Sequence, residues 1–216
     1  MATPNDRPGQ QARIVVLVSG SGSNLQALLD ASAVGSLPAD IVAVVANRPD
    51  VFALERAAVA GVDAAVLEHA TDVERSSYDA ELADLVASYE PDLIVLAGWM
   101  RLLTMSFLGR FPRRVVNLHP ALPGELPGTR AIERAWAEAQ AGTRTQSGVM
   151  VHLVPDEGVD DGPALATATV QIDPDSTFED FACAMHLAEH KLLVAALTDL
   201  CHQRLDQELT LPSTRD

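Results

Sequence analysis

The chain has 216 residues, 48% of them hydrophobic and 21% charged, which is ample for one cooperative core and suits one domain or at most two. Thirty acidic side chains against fifteen basic ones leave a net charge of −15, so no DNA, RNA or anionic membrane is expected as partner, because a nucleic-acid binder presents a basic face. No apolar run reaches membrane-spanning length, and the first twelve residues lack the apolar segment of a signal peptide.

Residues 1–12 read as a polar lead-in, expected to be disordered. RIVVLVSG follows, a continuous apolar run ending in glycine, which predicts a strand buried on both faces. SNLQALLDASA places Leu25, Leu28 and Leu29 at helical spacing. DIVAVVANRPD is a second buried strand, VFALERAAVAG a helix closed by Gly61, and AAVLEH a short strand. SYDAELADLVASY is amphipathic and ends before Pro91; DLIVLAGWM is another buried strand. A helix around MSFLGRF leads to the strand VVNLH. TRAIERAWAEAQAG is a helix closed by Gly142, and GVMVHLV and ALATATVQI are strands. A long helix starts near Thr177, where STFED offers two overlapping capping boxes, Ser176 with Glu179 and Thr177 with Asp180. The alternation predicts an α/β fold with parallel β-α-β units in a doubly wound sheet. The expected domain spans residues 13–205, followed by a loose tail over 206–216.

Cys183 and Cys201 are 18 residues apart, both on the long helix, so they stand roughly 27 Å apart at about 1.5 Å per residue and form no disulfide. They read as core or near-core thiols in a reducing, cytoplasmic setting. Trp99 and Trp136 read as packing residues.

Four stretches carry chemistry. SGSGSN, Ser19–Asn24, lies between the first strand and the first helix. Glycines there let backbone N–H groups approach an anion at a helix N-terminus, most simply one phosphate. It is neither a Walker A loop nor a complete dinucleotide fingerprint, and the alternative is a tight turn capped by Ser23 or Asn24. In VVNLHPALPG, Asn117 and His119 are two apart on a strand and share one face at its C-terminal edge. An amide and an imidazole at one point can stabilise an oxyanion, and the imidazole can move a proton. In PDEGVDDGP, either Asp160 or Asp161 is a candidate partner for His119, raising its pKa and orienting the ring; both could equally be solvated turn residues. HLAEH, with His186, Glu189 and His190, matches the H-x-x-E-H spacing of a zinc helix, although a further ligand would have to come from the short remainder of the chain.

Taken together, VLVSGSGSNLQAL, DLIVLAGWMRLL, VVNLHPALPG, VHLVPDEGVDDGP and the EH of the last helix resemble the phosphoribosylglycinamide formyltransferases, in that family's order and spacing across roughly residues 13–200. The resemblance implies a single Rossmann-like formyltransferase domain with a mostly parallel twisted sheet and helices on both faces. It implies that Asn117, His119 and Asp160 are catalytic. Gly22, Ser23, Asn24 and Glu189 would bind glycinamide ribonucleotide. Arg75, the segment Met100, Arg101, Leu102 and Leu103, and Asn117 would bind the co-substrate 10-formyltetrahydrofolate. No metal is implied. The family's Ser-Leu-Leu-Pro type of sequence after His-Pro is replaced here by ALPGEL, so the role of Glu125 is open, and Ser147 stands where some members have a histidine.

The implied reaction is formyl transfer from 10-formyltetrahydrofolate to the amine of glycinamide ribonucleotide in purine biosynthesis, through a tetrahedral intermediate, by a monomer or homodimer. The alternatives are a formyltetrahydrofolate deformylase, which uses water as acceptor and usually carries an extra N-terminal domain, and an H-x-x-E-H zinc protein. A methionyl-tRNA formyltransferase would need a further C-terminal domain and a basic surface.

Overall fold

In a computed structural model, residues 11–70 and 72–210 are described, with side chains as far as residue 203. The elements are β1 (Ala12–Val18), α1 (Ser23–Ala33), β2 (Ala39–Ala46), α2 (Phe52–Val59), β3 (Asp63–Val66), α3 (Arg75–Ser88), β4 (Leu93–Leu96), α4 (Met105–Leu108), β5 (Val115–His119), α5 (Ala131–Gln140), β6 (Gln146–Leu153), β7 (Ala164–Gln171) and α6 (Phe178–Thr210). The seven strands lie in the order β3-β2-β1-β4-β5-β6-β7. Pairings among β1 to β5 are parallel, and β5-β6 and β6-β7 are antiparallel.

Both faces of the central strands β1 and β4 are covered, which is why they read as unbroken apolar runs, whereas the edge strands β3 and β7 are largely exposed. Period two sends Ile14, Val16 and Val18 of β1 into one core with Leu25 and Leu28 of α1 and Met185 and Leu193 of α6. Val15 and Leu17 enter a second core with Tyr78, Leu82 and Val86 of α3 and Phe107 of α4. Leu17, Leu28, Leu82 and Leu193 are fully buried, and such burial stabilises by about 1.5–3 kcal/mol per side chain.

The expected α/β architecture is the one observed; several boundaries move. Ala12 belongs to β1, paired with Ala39, while residues 1–10 of the expected lead-in lie outside the described residues. β4 stops at Leu96 rather than running through GWM, because Gly98, with φ of 77°, turns the chain out of the sheet and frees Trp99–Leu103 to line a cleft. α6 continues to Thr210, past the expected boundary at 205, since no glycine or proline intervenes before Pro212; residues 211–216 of the expected tail lie outside the described residues. Of the two capping boxes, Thr177–Asp180 forms: the Asp180 N–H donates to Thr177 Oγ1 at 3.1 Å and the Thr177 N–H to Asp180 Oδ2 at 3.3 Å. Ser176 Oγ instead donates to the Asp173 carbonyl. Cys201 is buried but Cys183 is exposed, correcting the expectation that both are core or near-core thiols; Phe181 and Met185 form the buried stripe and Cys183 falls between them.

Candidate active site

The strand order reverses between β1 and β4. Chain segments leaving the carboxyl ends of such neighbours part in opposite directions and open a crevice. Here the two segments are stitched together: the Ser19 N–H donates to the Gly98 carbonyl at 3.2 Å, and the Met100 N–H donates to Ser19 Oγ at 2.9 Å.

β5 lies beside β4 and ends at the same edge. Its alternation puts Val116 and Leu118 in the α1/α6 core, so Asn117 and His119 project together on the other face. Antiparallel β6 sets His152 directly opposite Asn117. Beyond β6 the chain folds back as a loop, tied down by the Leu153 N–H donating to the Pro163 carbonyl at 3.0 Å. A Cβ at Gly162 would overlap the Leu153 carbonyl oxygen, so only glycine fits this return. The loop delivers Asp160, held in the left-handed region with φ of 55°, onto the two β5 side chains. Of the two candidate carboxylates it is Asp160 that meets them; the Asp161 carboxylate packs against Gly158.

The contacts close on themselves. Asn117 Nδ2 donates to Asp160 Oδ1 at 3.0 Å and lies 3.0 Å from His152 Nε2. Because His152 Nδ1 faces the Leu153 carbonyl at 2.8 Å, Nδ1 carries the proton and Nε2 accepts from the amide. The carboxylate fixes which way the Asn117 amide points, since a flipped amide would set oxygen against oxygen. Asp160 Oδ2 accepts from the Gly128 N–H at 2.8 Å and lies 3.2 Å from His119 Nδ1. The other His119 nitrogen, Nε2, lies 3.0 Å from the Leu126 carbonyl.

His119 is 4% exposed. Burial pushes its pKa below the ordinary imidazole value, and Asp160 and the Leu126 carbonyl pull the other way without cancelling it. The expected upward pull of Asp160 is therefore present, but desolvation outweighs it. Two acceptors face the ring, and a neutral imidazole has one N–H, so at rest one of these contacts lacks its proton. Only the imidazolium can satisfy both acceptors at once, so they offset part of the desolvation cost of protonating the ring. Burial also raises the Asp160 pKa, but hydrogen bonds and charge from its neighbours, the Gly128 N–H among them, hold it below the usual carboxylate value.

These groups open into a cleft of about 360 Å³ lined by Asn117, His119, His152, Asp160 and the whole of Met100–Leu103. Arg75, the first residue of α3, is not in the lining but adjoins it, its Nε donating to the Leu102 carbonyl at 3.1 Å. Buried polar atoms without a protein partner gather here: Trp99 Nε1, Arg101 Nε and Arg75 Nη2. Apolar walls with unused donors fit a ligand that brings its own hydrogen-bond acceptors. Trp99 is thus both core and cleft wall, whereas Trp136 stacks on Phe181 with ring centroids 5.7 Å apart.

Gly22, Ser23, Asn24 and Glu189 are not part of this lining. Gly22 is the residue before α1, with φ of 71°, and no side chain caps the helix, so the tight-turn alternative with a Ser23 or Asn24 cap is not what forms. The first-turn N–H groups stay available for an anion, and Asn24 Oδ1 is buried without a partner. A Cβ at Gly22 would stand 2.7 Å from Ala53 Cβ. Arg56 of α2 clamps the loop, donating from Nε to the Ser21 carbonyl and from Nη1 to Gln26 Oε1, both at 2.8 Å. On α6, packed against α1, Glu189 is 5% exposed and pairs with His186 Nδ1 at 2.7 Å. His190 Nε2 is buried and unpartnered. Among the described residues no group of three or more His, Cys, Asp or Glu side chains is placed to hold a metal ion.

Three participants escape the sequence reading. His152 is visible only once β6 is known to pair antiparallel to β5 in this register. Arg56 reaches Ser21 across 35 residues. The Leu126 carbonyl is a backbone group, and no side-chain motif announces it.

Comparison with known proteins identifies the family. The formyl transferase family model matches residues 12–197. The chain is similar to a phosphoribosylglycinamide formyltransferase of Schizosaccharomyces pombe, 40% identical over 86% of this chain and 95% of that one. It is similar also to one of Mycobacterium tuberculosis, 42% identical over 89% and 86% of the two chains. Among solved structures, glycinamide ribonucleotide transformylase 1 from Symbiobacterium toebii superposes with a TM-score of 0.84 at 36% identity, covering 94% of each chain. A match this complete in sequence and fold means that the chain belongs to the phosphoribosylglycinamide formyltransferase family.

Proposed function

We propose that the chain transfers the formyl group of 10-formyltetrahydrofolate to the primary amine of glycinamide ribonucleotide, in the cytoplasm and as a monomer or homodimer. The observation that carries this reading is the convergence of Asn117, His119 and Asp160 from two distant segments at the mouth of one cleft. The uncapped α1 N-terminus, with Gly22, Ser23 and Asn24, takes the nucleotide phosphate, and Glu189 contacts the same substrate. Met100–Leu103 and Arg75 hold the folate, whose part is to present a formyl carbon on a nitrogen leaving group.

His119, short of one proton at rest, takes the proton of the attacking amine as it adds to the formyl carbon. The resulting imidazolium is stabilised by Asp160 on Nδ1, and its Nε2–H is shared between the Leu126 carbonyl and the new oxyanion. The Asn117 amide exchanges one of its two internal acceptors for that oxygen. His119 then returns the proton toward the departing nitrogen, directly or through a water. Asp160 stays ionised throughout, as its depressed pKa requires. No step calls for a metal.

The test is absorbance of the deformylated folate product with glycinamide ribonucleotide present and absent. Product only with the nucleotide supports the transferase; equal product without it means that water is the acceptor and the chain is a deformylase.

A further inference from the structure

We propose that Glu125 and Arg144 are positioning residues for His119: their ion pair holds the loop over residues 124–128 so that the Leu126 carbonyl meets the imidazole. The inference rests on reading His119 as the proton carrier, and it gives the PGEL stretch a function.

Four successive residues of this loop are tethered from outside it. Glu125 Oε2 meets Arg144 Nη1 at 2.6 Å. The Leu126 carbonyl faces His119 Nε2, the Pro127 carbonyl accepts from Arg134 Nη1 at 2.7 Å, and the Gly128 N–H donates to Asp160. The contacts alternate: Glu125 and the Pro127 carbonyl are held by arginines, and Leu126 and Gly128 meet the reacting groups. The loop needs holding, because its backbone is unusual. Gly124 and Gly128 have φ of 78° and 81°, and between them Leu126 adopts φ of 44°, a left-handed conformation that an L side chain with a Cβ adopts only when its surroundings impose it. Leu126 is 8% exposed, so its side chain anchors in the core while its carbonyl points at His119.

Arg144 is built for this task. Its side chain is 16% exposed, its Nε binds Glu138 Oε2 of α5 at 2.7 Å, and Nη1 also reaches the Gln146 carbonyl at 3.2 Å. Fixed to α5 and to the start of β6, the guanidinium presents a rigid donor to the loop, which a flexible ammonium would not. Glu138 holds the same arginine but does not touch the loop, so its removal loosens the donor without releasing Glu125.

The charged and titratable groups facing His119 are Asp160, His152 and Arg134. Glu125→Ala removes none of them and acts on the ring only by releasing the Leu126 carbonyl, which favours the protonated form. In protein carrying nitrogen-15-labelled histidine, Glu125→Ala should lower the proton affinity of His119 by about threefold or more. It should lower kcat about tenfold, with KM for both substrates within twofold. Glu125→Gln, which keeps a neutral acceptor, should fall between it and wild type. Glu138→Ala, which loosens Arg144 but leaves its contact with Glu125 in place, should shift the titration and kcat in the same direction by less than Glu125→Ala. The proposal is overturned if His119 titrates in Glu125→Ala as in wild type, or if Glu138→Ala changes it equally. Should the wild-type chain show no nucleotide-dependent formyl transfer, the functional reading fails, and the titration still decides the positioning role.

Discussion

The side-chain amide of Asn117 donates to Asp160 Oδ1 at 3.0 Å, joining a strand end to a loop 43 residues further along the chain. Its second N–H goes to His152. Both donors that an oxyanion would use are thus already aimed, by acceptors weaker in one case and shared in the other. The amide is thus fixed in place before charge develops, and the step exchanges one internal acceptor for the oxyanion.

Asn117→Ala or His119→Ala should therefore lower kcat by about 10²–10³, the usual cost of removing one such donor. Nucleotide binding, measured by calorimetry, should survive, because the α1 N-terminus is untouched. Near-full activity in either variant would remove both residues from the mechanism.

His152→Phe keeps the buried ring and deletes the acceptor for Asn117. One net hydrogen bond of about 1–1.5 kcal/mol corresponds to about a tenfold loss of kcat. Steady-state kinetics should place this variant between wild type and Asn117→Ala, and a loss as large as that of Asn117→Ala would mean that His152 itself acts on substrate.

Gly22→Ala should weaken nucleotide binding. Its positive φ costs an alanine about 1–2 kcal/mol, and the added Cβ meets Ala53. We expect a higher KM for the nucleotide and a lower melting temperature, with KM for the folate unchanged. An unchanged nucleotide KM would move the anion site elsewhere.

Acidification should destabilise the site in two stages. The folded pKa of His119 lies below its unfolded value of 6.5, so the unfolded chain binds the proton first and stability falls as pH drops below that value. The folded pKa of Asp160 lies below 3.8, so its contribution is present above that value and is lost as pH falls through the folded pKa. His186, raised by the hydrogen bond to Glu189, opposes the first stage: its contribution is complete below 6.5 and is lost as pH rises through its folded pKa. Urea midpoints between pH 7 and pH 5 should fall less for His119→Asn than for wild type; equal slopes would contradict the burial argument.

The residues differ in how legibly the sequence carried them. Asn117 and His119 could be placed on one face because strand periodicity is local, and the apolar Leu118 between them fits the opposite core. β1, α1 and the Thr177–Asp180 cap follow from patterns within a few residues. The choice of Asp160 over Asp161 did not follow from spacing; the resemblance supplied it, and the geometry depends on a left-handed residue and a glycine return. His152 and the Glu125–Arg144 pair depend on register and long-range packing, which no local pattern encodes. The exposure of Cys183 is not legible from apolar composition alone, because burial on α6 follows the stripe through Phe181 and Met185 and Cys183 falls between them.

The most direct test of the central claim is to follow the fate of the transferred carbon. With carbon-13 in the formyl group of 10-formyltetrahydrofolate, nuclear magnetic resonance should show the label arriving as a formamide on glycinamide ribonucleotide, and no label release when the nucleotide is omitted. Label appearing as free formate at the same rate with and without the nucleotide would contradict it.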